Sequence, residues 1–278
     1  MAKALRDCDA AVHVAALVST HAADEERVYT TNLEGTRNVV GGALAQGIDR
    51  VIYVSSVTAL YNPKARVLNE DSPPGTGSGG YGRSKVACEK YVRGLQAEGS
   101  PVTITYPATV LGPDTPEMTE AHIGLQTYLA QFVPLMSSGT QYVDVRDIAA
   151  VHRQILEQGA PSNRYVLGGH YVPWRRLGGV LRGLTGKRPL QLPLSGALMR
   201  LAGGLADRLA PVLPDDFPIT REGLTYATRW VNMDNSRVER ELGLEFRPVE
   251  QTLGDSIRWL AEHDHLTPRQ AGRLAGSR

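Results

Sequence analysis

The chain has 278 residues, 42% of them hydrophobic, and a formal net charge of +1. That supports a sizeable core, excludes a disordered chain, and offers no electrostatic case for nucleic acid or an anionic membrane surface. Its two cysteines, Cys8 and Cys88, cannot form a disulfide framework and read as reduced structural thiols, which fits a cytoplasmic setting.

Asp9 to Ala16 is a short apolar run suited to a buried strand. Residues 24–46 have helical spacing, with Gly47 as the stop. Arg50 to Val54 reads as a buried parallel strand. Residues 62–80 are rich in proline and glycine and predict a long loop. A helix is expected from about Gly80 to Glu98, ended by Gly99, and then a strand over Val102 to Tyr106. This alternation predicts an α/β fold with a parallel sheet and crossover helices over residues 1–170. Helical segments at 173–185, 194–209 and 249–262 predict a smaller helix-rich lobe over 171–266, lying over the carboxyl ends of the strands. Ser195 to Leu213 is the most apolar stretch. Arg200, Asp207 and Arg208 break it, so it predicts an amphipathic helix packed on a core, not a membrane span. The start lacks the apolar stretch of a signal peptide. The tail, 267–278, is expected to be frayed or disordered.

Tyr81 and Lys85 stand four apart, so on a helix they share a face. A free phenol titrates near about 10 and is a poor acid or base at neutral pH. A cation roughly 4 Å away supplies about 4 kcal/mol at an effective dielectric near 20, enough to bring such a group toward neutrality. The pair therefore suits acid/base chemistry. Ser55-Ser56 ends the strand just before it.

Several further motifs occur in order. They are Asp9 to Ala16, Asn32-Leu33-Glu34-Gly35-Thr36, Val54-Ser55-Ser56, Tyr81-x-x-x-Lys85, Pro107 to Pro113, and Tyr142 to Asp147. Together they resemble the extended short-chain dehydrogenase/reductases of the NAD(P)-dependent epimerase/dehydratase type. The dihydroflavonol-reductase and 3β-hydroxysteroid-dehydrogenase-like branch is the most similar. The resemblance runs from about residue 5 to 262. It implies a partial Rossmann-type, doubly wound sheet and an oxidoreductase moving a hydride between NAD or NADP and a ketone or alcohol on a fairly apolar small molecule. By resemblance, Tyr81 is the general acid and Lys85 holds the nicotinamide ribose and tunes Tyr81. Ser56 hydrogen-bonds the substrate oxygen, and Asn32 positions the helix or a water behind Lys85. Ala15 and Ala16 lie on the adenine and ribose side, and Pro107 and Val110 beside the nicotinamide. Tyr106 stands where many relatives have Arg, leaving any substrate contact from that position open. Helices 28–46 and 81–98 resemble those that form homodimers through a four-helix bundle.

The resemblance also implies a Gly-rich strand–turn–helix ahead of the Asp9 segment, on the order of 60 residues. The chain is therefore expected to be truncated, a fragment or a mis-set start, with a genuine short protein that lost cofactor binding as the rival. A literal Gly-x-Gly-x-x-Gly at Gly75, Gly77 and Gly80 follows Pro73-Pro74, not a strand, and reads as a substrate-side loop. Two other functions stay open: a nucleotide-sugar epimerase or dehydratase, and a non-catalytic remnant or cofactor sensor. No metal site is expected; His263-Asp264-His265 reads as a solvated helix end. His13 reads as buried packing.

Overall fold

Alternating side chains build the main sheet. Val51 and Tyr53 enter one hydrophobic cluster while Ile52 and Val54 enter another, as the period of two in a strand requires. The computed structural model describes residues 3–19, 22–209 and 220–276. In chain order the strands are β1 (Ala11–His13), β2 (Val51–Val54), β3 (Val67–Leu68), β4 (Val102–Pro107), β5 (Thr109–Leu111), β6 (Val133–Leu135), β7 (Gly139–Asp144), β8 (Arg164–Leu167), β9 (His170–Pro173), β10 (Gln191–Pro193) and β11 (Asn232–Met233). The α-helices are α1 (Glu25–Thr36), α2 (Gly42–Ala45), α3 (Gly79–Ala97), α4 (Glu120–Ala130), α5 (Val145–Gln158), α6 (Trp174–Thr185), α7 (Gly196–Leu209), α8 (Arg221–Thr228), α9 (Ser236–Leu242), α10 (Val249–Glu262) and α11 (Pro268–Ala271).

The main sheet runs β1-β2-β4-β8, all parallel. Residues of α2 and α3 (Ala43, Cys88, Val92) cover one face, and residues of α5 and α9 (Ile148, Val151, Ile155, Val238, Leu242) cover the other. This is the doubly wound α/β arrangement that the alternation predicted. Between α1 and α2, Arg37–Gly41 winds as a π-helix, so the expected single helix is interrupted by one wider turn. Val40 in that turn and Ala43 just after it are fully buried against the sheet.

A second sheet, β5-β7-β9, leads into the helix-rich part. Its cluster joins Leu111, Leu125 and Tyr142 to Trp174, Leu253 and Trp259, so that core also takes in segments before residue 171. The junction of β7 and α5 is clamped. Asp144 caps α5 by accepting from the Arg146 backbone N–H (2.9 Å), and the Arg146 guanidinium bridges Asp144 and Asp255 of α10 at 2.7 and 2.8 Å. Burial alone would raise the Asp144 carboxyl, but the hydrogen bonds from Arg146 prevail and hold it below its usual range.

Two expectations need correction. Helix α7 does not bury its apolar stripe: Gly203 is its one buried residue, set against the Arg221 backbone, while Leu198, Leu201, Leu205 and Leu209 are exposed. Close approach at a glycine, not hydropathy, sets which face packs. The segment from Thr267 does not fray over its described residues. Thr267 and Gln270 form a reciprocal capping box with Pro268 at the first helical position, and Ala271 is fully buried. Residues 277–278 and the end of the Ser195–Leu213 stretch, Ala210 to Leu213, lie outside the described residues.

On the sheet, Thr105 and His152 of α5 hydrogen-bond at 2.9 Å, and burial lowers the His152 pKa from 6.5 to about 4. An unfolded chain protonates that imidazole near 6.5 while the folded protein resists until about 4, so stability should fall as pH drops through this window. Chemical denaturation of wild type and His152→Gln across this range should show a flatter acid limb in the variant. Identical slopes would mean that His152 does not carry the effect.

Candidate active site

The carboxyl ends of β1 and β2 face the first turns of α3, and the site is assembled there. Tyr81 and Lys85 occupy successive turns of α3, and the Lys85 ammonium lies 5.7 Å from the centroid of the Tyr81 ring. Lys85 is 4% exposed, yet among the described residues no carboxylate pairs with it. Its charge reaches His13 at the end of β1, where it adds to burial in lowering the His13 pKa. His13 is a packing residue: it stacks on Tyr53 at 5.9 Å and meets the Thr36 hydroxyl at 3.3 Å.

Among the described residues no hydrogen bond joins Asn32 to Lys85. Its carboxamide oxygen accepts from the Leu17 N–H (2.7 Å), and its nitrogen donates to the Leu17 carbonyl (3.0 Å) and to the Ser84 hydroxyl (2.9 Å). Ser84 in turn donates to the Tyr81 carbonyl at 2.8 Å. Asn32 thus ties the segment after β1 to α1 and to the turn that carries Tyr81. Ala15 and Ala16 are exposed on that pinned segment, just ahead of Leu17.

The two serines after β2 divide. Ser56 caps the short turn Val57–Leu60 by accepting from the Thr58 N–H (3.2 Å), which leaves its own proton available to donate. Among the described residues no hydrogen bond joins it to Tyr81 or Lys85. Ser55 points inward and donates to Glu89 at 3.0 Å. Pro107 ends β4 and is buried; Val110 lies in β5 and packs on the cluster around Val143.

Glu89 is a functional residue that the sequence reading missed. It has no exposed surface and stands one turn beyond Lys85. One oxygen accepts from the Tyr106 hydroxyl and the Arg93 guanidinium, both at 2.6 Å, and the other accepts from Ser55. Burial first, and then the Glu89 charge, pushes the Tyr106 phenol well above its ordinary pKa, so it stays a donor. Tyr106 is fully buried in this cluster. The available signal was the ladder Tyr81, Lys85, Glu89, Arg93 at steps of four along one helix face.

The glycine run before Tyr81 is filled by protein. A side chain at Gly75 would strike the Tyr61 backbone, at Gly77 the Arg83 backbone, and at Gly80 the Glu25 backbone. No strand immediately precedes it. These glycines permit close packing and do not cradle a pyrophosphate. Elsewhere, between the second sheet and the helix-rich part, an apolar cavity of about 210 Å³ is lined by Thr109, Tyr128, Tyr142, Trp174, Tyr226 and Trp230. Trp174 is fixed there by donating to the Ala227 carbonyl at 3.0 Å.

A tyrosine and a buried lysine on one helix face, beside the strand ends of a doubly wound parallel sheet, define the nucleotide-cofactor enzymes of the extended short-chain dehydrogenase/reductase type. The chain belongs to the NAD dependent epimerase/dehydratase family, whose model matches residues 1–168. It is 28% identical to a Synechocystis sp. protein named provisionally as a dihydroflavonol 4-reductase, over 94% of this chain and 79% of that one. It is 26% identical to cinnamoyl-CoA reductase 2 of Arabidopsis thaliana, covering 93% and 73%. The crystal structure of gox2253 superposes with a TM-score of 0.76 at 26% identity, covering 96% and 82%. The Bordetella bronchiseptica enzyme WbmH, solved with NAD+, shares the fold at a TM-score of 0.70 and 20% identity, covering 94% and 79%.

Removing Glu89 would strand Arg93 and two buried hydroxyls. Glu89→Ala should cost about 3–5 kcal/mol and lower Tm on the order of 10 °C. Thermal melts check this; a drop of only about 1 °C would mean that the cluster is not held by the carboxylate.

Proposed function

We propose that the protein is an NAD(P)-dependent oxidoreductase acting on a ketone or alcohol of a fairly apolar small molecule. One observation carries this: Lys85 is buried, has no ion pair among the described residues and lies over Tyr81, so a cation is held ready beside a phenol. When bound, the nicotinamide supplies or takes the hydride. In this reading Lys85 holds the nicotinamide ribose, which its burial beside Tyr81 supports. Tyr81 donates a proton to the substrate oxygen in reduction and takes it back in oxidation, with the Lys85 ammonium beside its ring. Ser56 donates to the same oxygen as negative charge develops. Asn32 and Ser84 keep the Tyr81 turn in place. The aromatic cavity that holds Trp174, Tyr226 and Trp230 suits an apolar body better than a sugar. The names of the dihydroflavonol and cinnamoyl-CoA reductase relatives agree with that class.

We place the protein in the cytoplasm. Among the described residues no helix is long and apolar enough to cross a membrane. A homodimer through 28–46 and 81–98 follows the family resemblance. Within one chain, Arg37 of this first helical segment already lies over the Tyr91 ring of α3.

Turnover measured with NADH and NADPH against aromatic and aliphatic ketones should fall at least about 100-fold in Tyr81→Phe. Unchanged turnover would remove the tyrosine from the mechanism. In a fluorescence titration with NADPH and NADH, Lys85→Met should weaken binding by roughly tenfold, about 1.4 kcal/mol. Equal affinity would show that Lys85 does not hold the cofactor.

A further inference from the structure

The glycine notch that opens α3 is occupied by one carboxyl group from the helix-rich lobe. Glu222, on α8, lies 140 residues from Gly82, and its Oε1 accepts from the Gly82 N–H at 2.8 Å. The same oxygen accepts from the Tyr226 hydroxyl at 3.1 Å. The residue is 6% exposed, and its Oε2 is fully buried with no hydrogen-bond partner. A side chain at Gly79 would collide with this carboxyl, and one at Gly82 would come within 2.9 Å of it and 2.8 Å of the Tyr226 hydroxyl. Tyr81 stands between those two glycines, close enough for its charge to bear on Tyr226.

We propose that Glu222 is a positioning residue for Tyr81, reaching across from the lobe to fix the first turn of α3. The proposal rests on Tyr81 being the acid/base group. A backbone N–H held from outside the helix sets where that turn sits, and a shift of about 1 Å in a reacting group can cost on the order of 100-fold. Tyr226 links this seat to the apolar cavity, because its ring lines the cavity while its hydroxyl binds Glu222. Lobe packing around a substrate and tyrosine placement therefore share one carboxyl.

The seat is also sensitive to pH. Burial raises the Glu222 pKa to about 7; hydrogen bonds from Gly82 and Tyr226 oppose this, and the charges of Glu25 and Asp207 add to it. Arg200 and Arg208 on α7, Arg221 on α8 and Arg229 beyond it line the same hollow of about 920 Å³ as Glu222. Between 4.5 and about 7 the folded protein keeps the proton that an exposed carboxyl would have lost, so the neutral acid seats there below about 7 and the carboxylate above it.

Tyr81-Gly82 is the single Tyr-Gly pair in the sequence. Labelling the full chain with carbonyl-13C tyrosine and 15N glycine therefore isolates one amide signal, that of Gly82. In wild type this signal should titrate with a midpoint near 7, and in Glu222→Gln, which keeps the shape and an acceptor oxygen, it should be flat. A titration that persists in Glu222→Gln, or is absent in wild type, overturns the proposal. In turnover, Glu222→Ala should lose roughly tenfold in kcat with KM little changed, and Glu222→Gln should restore most of it. Equal kcat in all three also overturns it. If Tyr81→Phe kept full turnover, the acid/base assignment would fall, and the Gly82 signal would still report whether Glu222 holds the turn.

Discussion

One buried carboxylate organises the centre of this molecule. Glu89 has no water to solvate it, so three donors must do so: Ser55 from the end of β2, Tyr106 from β4, and Arg93 from its own helix. A charge in such a place is costly unless its partners are complete. Meeting that demand fixes the distance and rotation of α3 against two central strands. Tyr81 and Lys85 lie on the same helix face one and two turns earlier, so their placement follows from the same constraint. The end of the helix proposed to react is held by its buried middle.

The helix-rich lobe joins this framework at more than one point. Arg146 spans from the β7–α5 junction to Asp255 of α10, and Gln141 of β7 holds the backbone of Met233 in β11. Tyr61, just after the Ser56-capped turn, stacks edge-on to Tyr226 of α8 at 4.9 Å and donates to the Arg229 carbonyl. Each link fastens a residue of the sheet region to one of the lobe, and each lies near the cavity or the strand ends. The lobe is thus fastened to the sheet region and is not an appendage.

The sheet was legible because strand alternation and helical period are local signals, and β2, α3, β4 and α10 fall within a residue or two of their predicted limits. The Tyr81–Lys85 pair was legible for the same reason, since four residues on one helix are neighbours wherever the helix goes. Ser55 as a partner of Glu89 and Gly82 as a partner of Glu222 were not, because they come from other elements 34 and 140 residues away. No spacing rule says that a glutamate on an amphipathic helix will be wholly enclosed. Helix α7 misled for a related reason: its leucines stand out in sequence, but Gly203 decides the contact. The tail is different, since Thr267-Pro268-x-Gln270 is a capping signature that was open to view.

The wide winding at Arg37–Gly41 has a consequence for how this helix tolerates change in length. A π turn accommodates one more residue than a regular turn, and each residue rotates a helix by about 100°. Deleting one residue there would turn the wide turn into a regular one while leaving the residues on either side in nearly the same phase around the axis. Ala43, just beyond the turn, would keep facing the sheet. The irregularity is therefore a slot for one residue, and a single deletion should be tolerated better at this turn than elsewhere between β1 and β2.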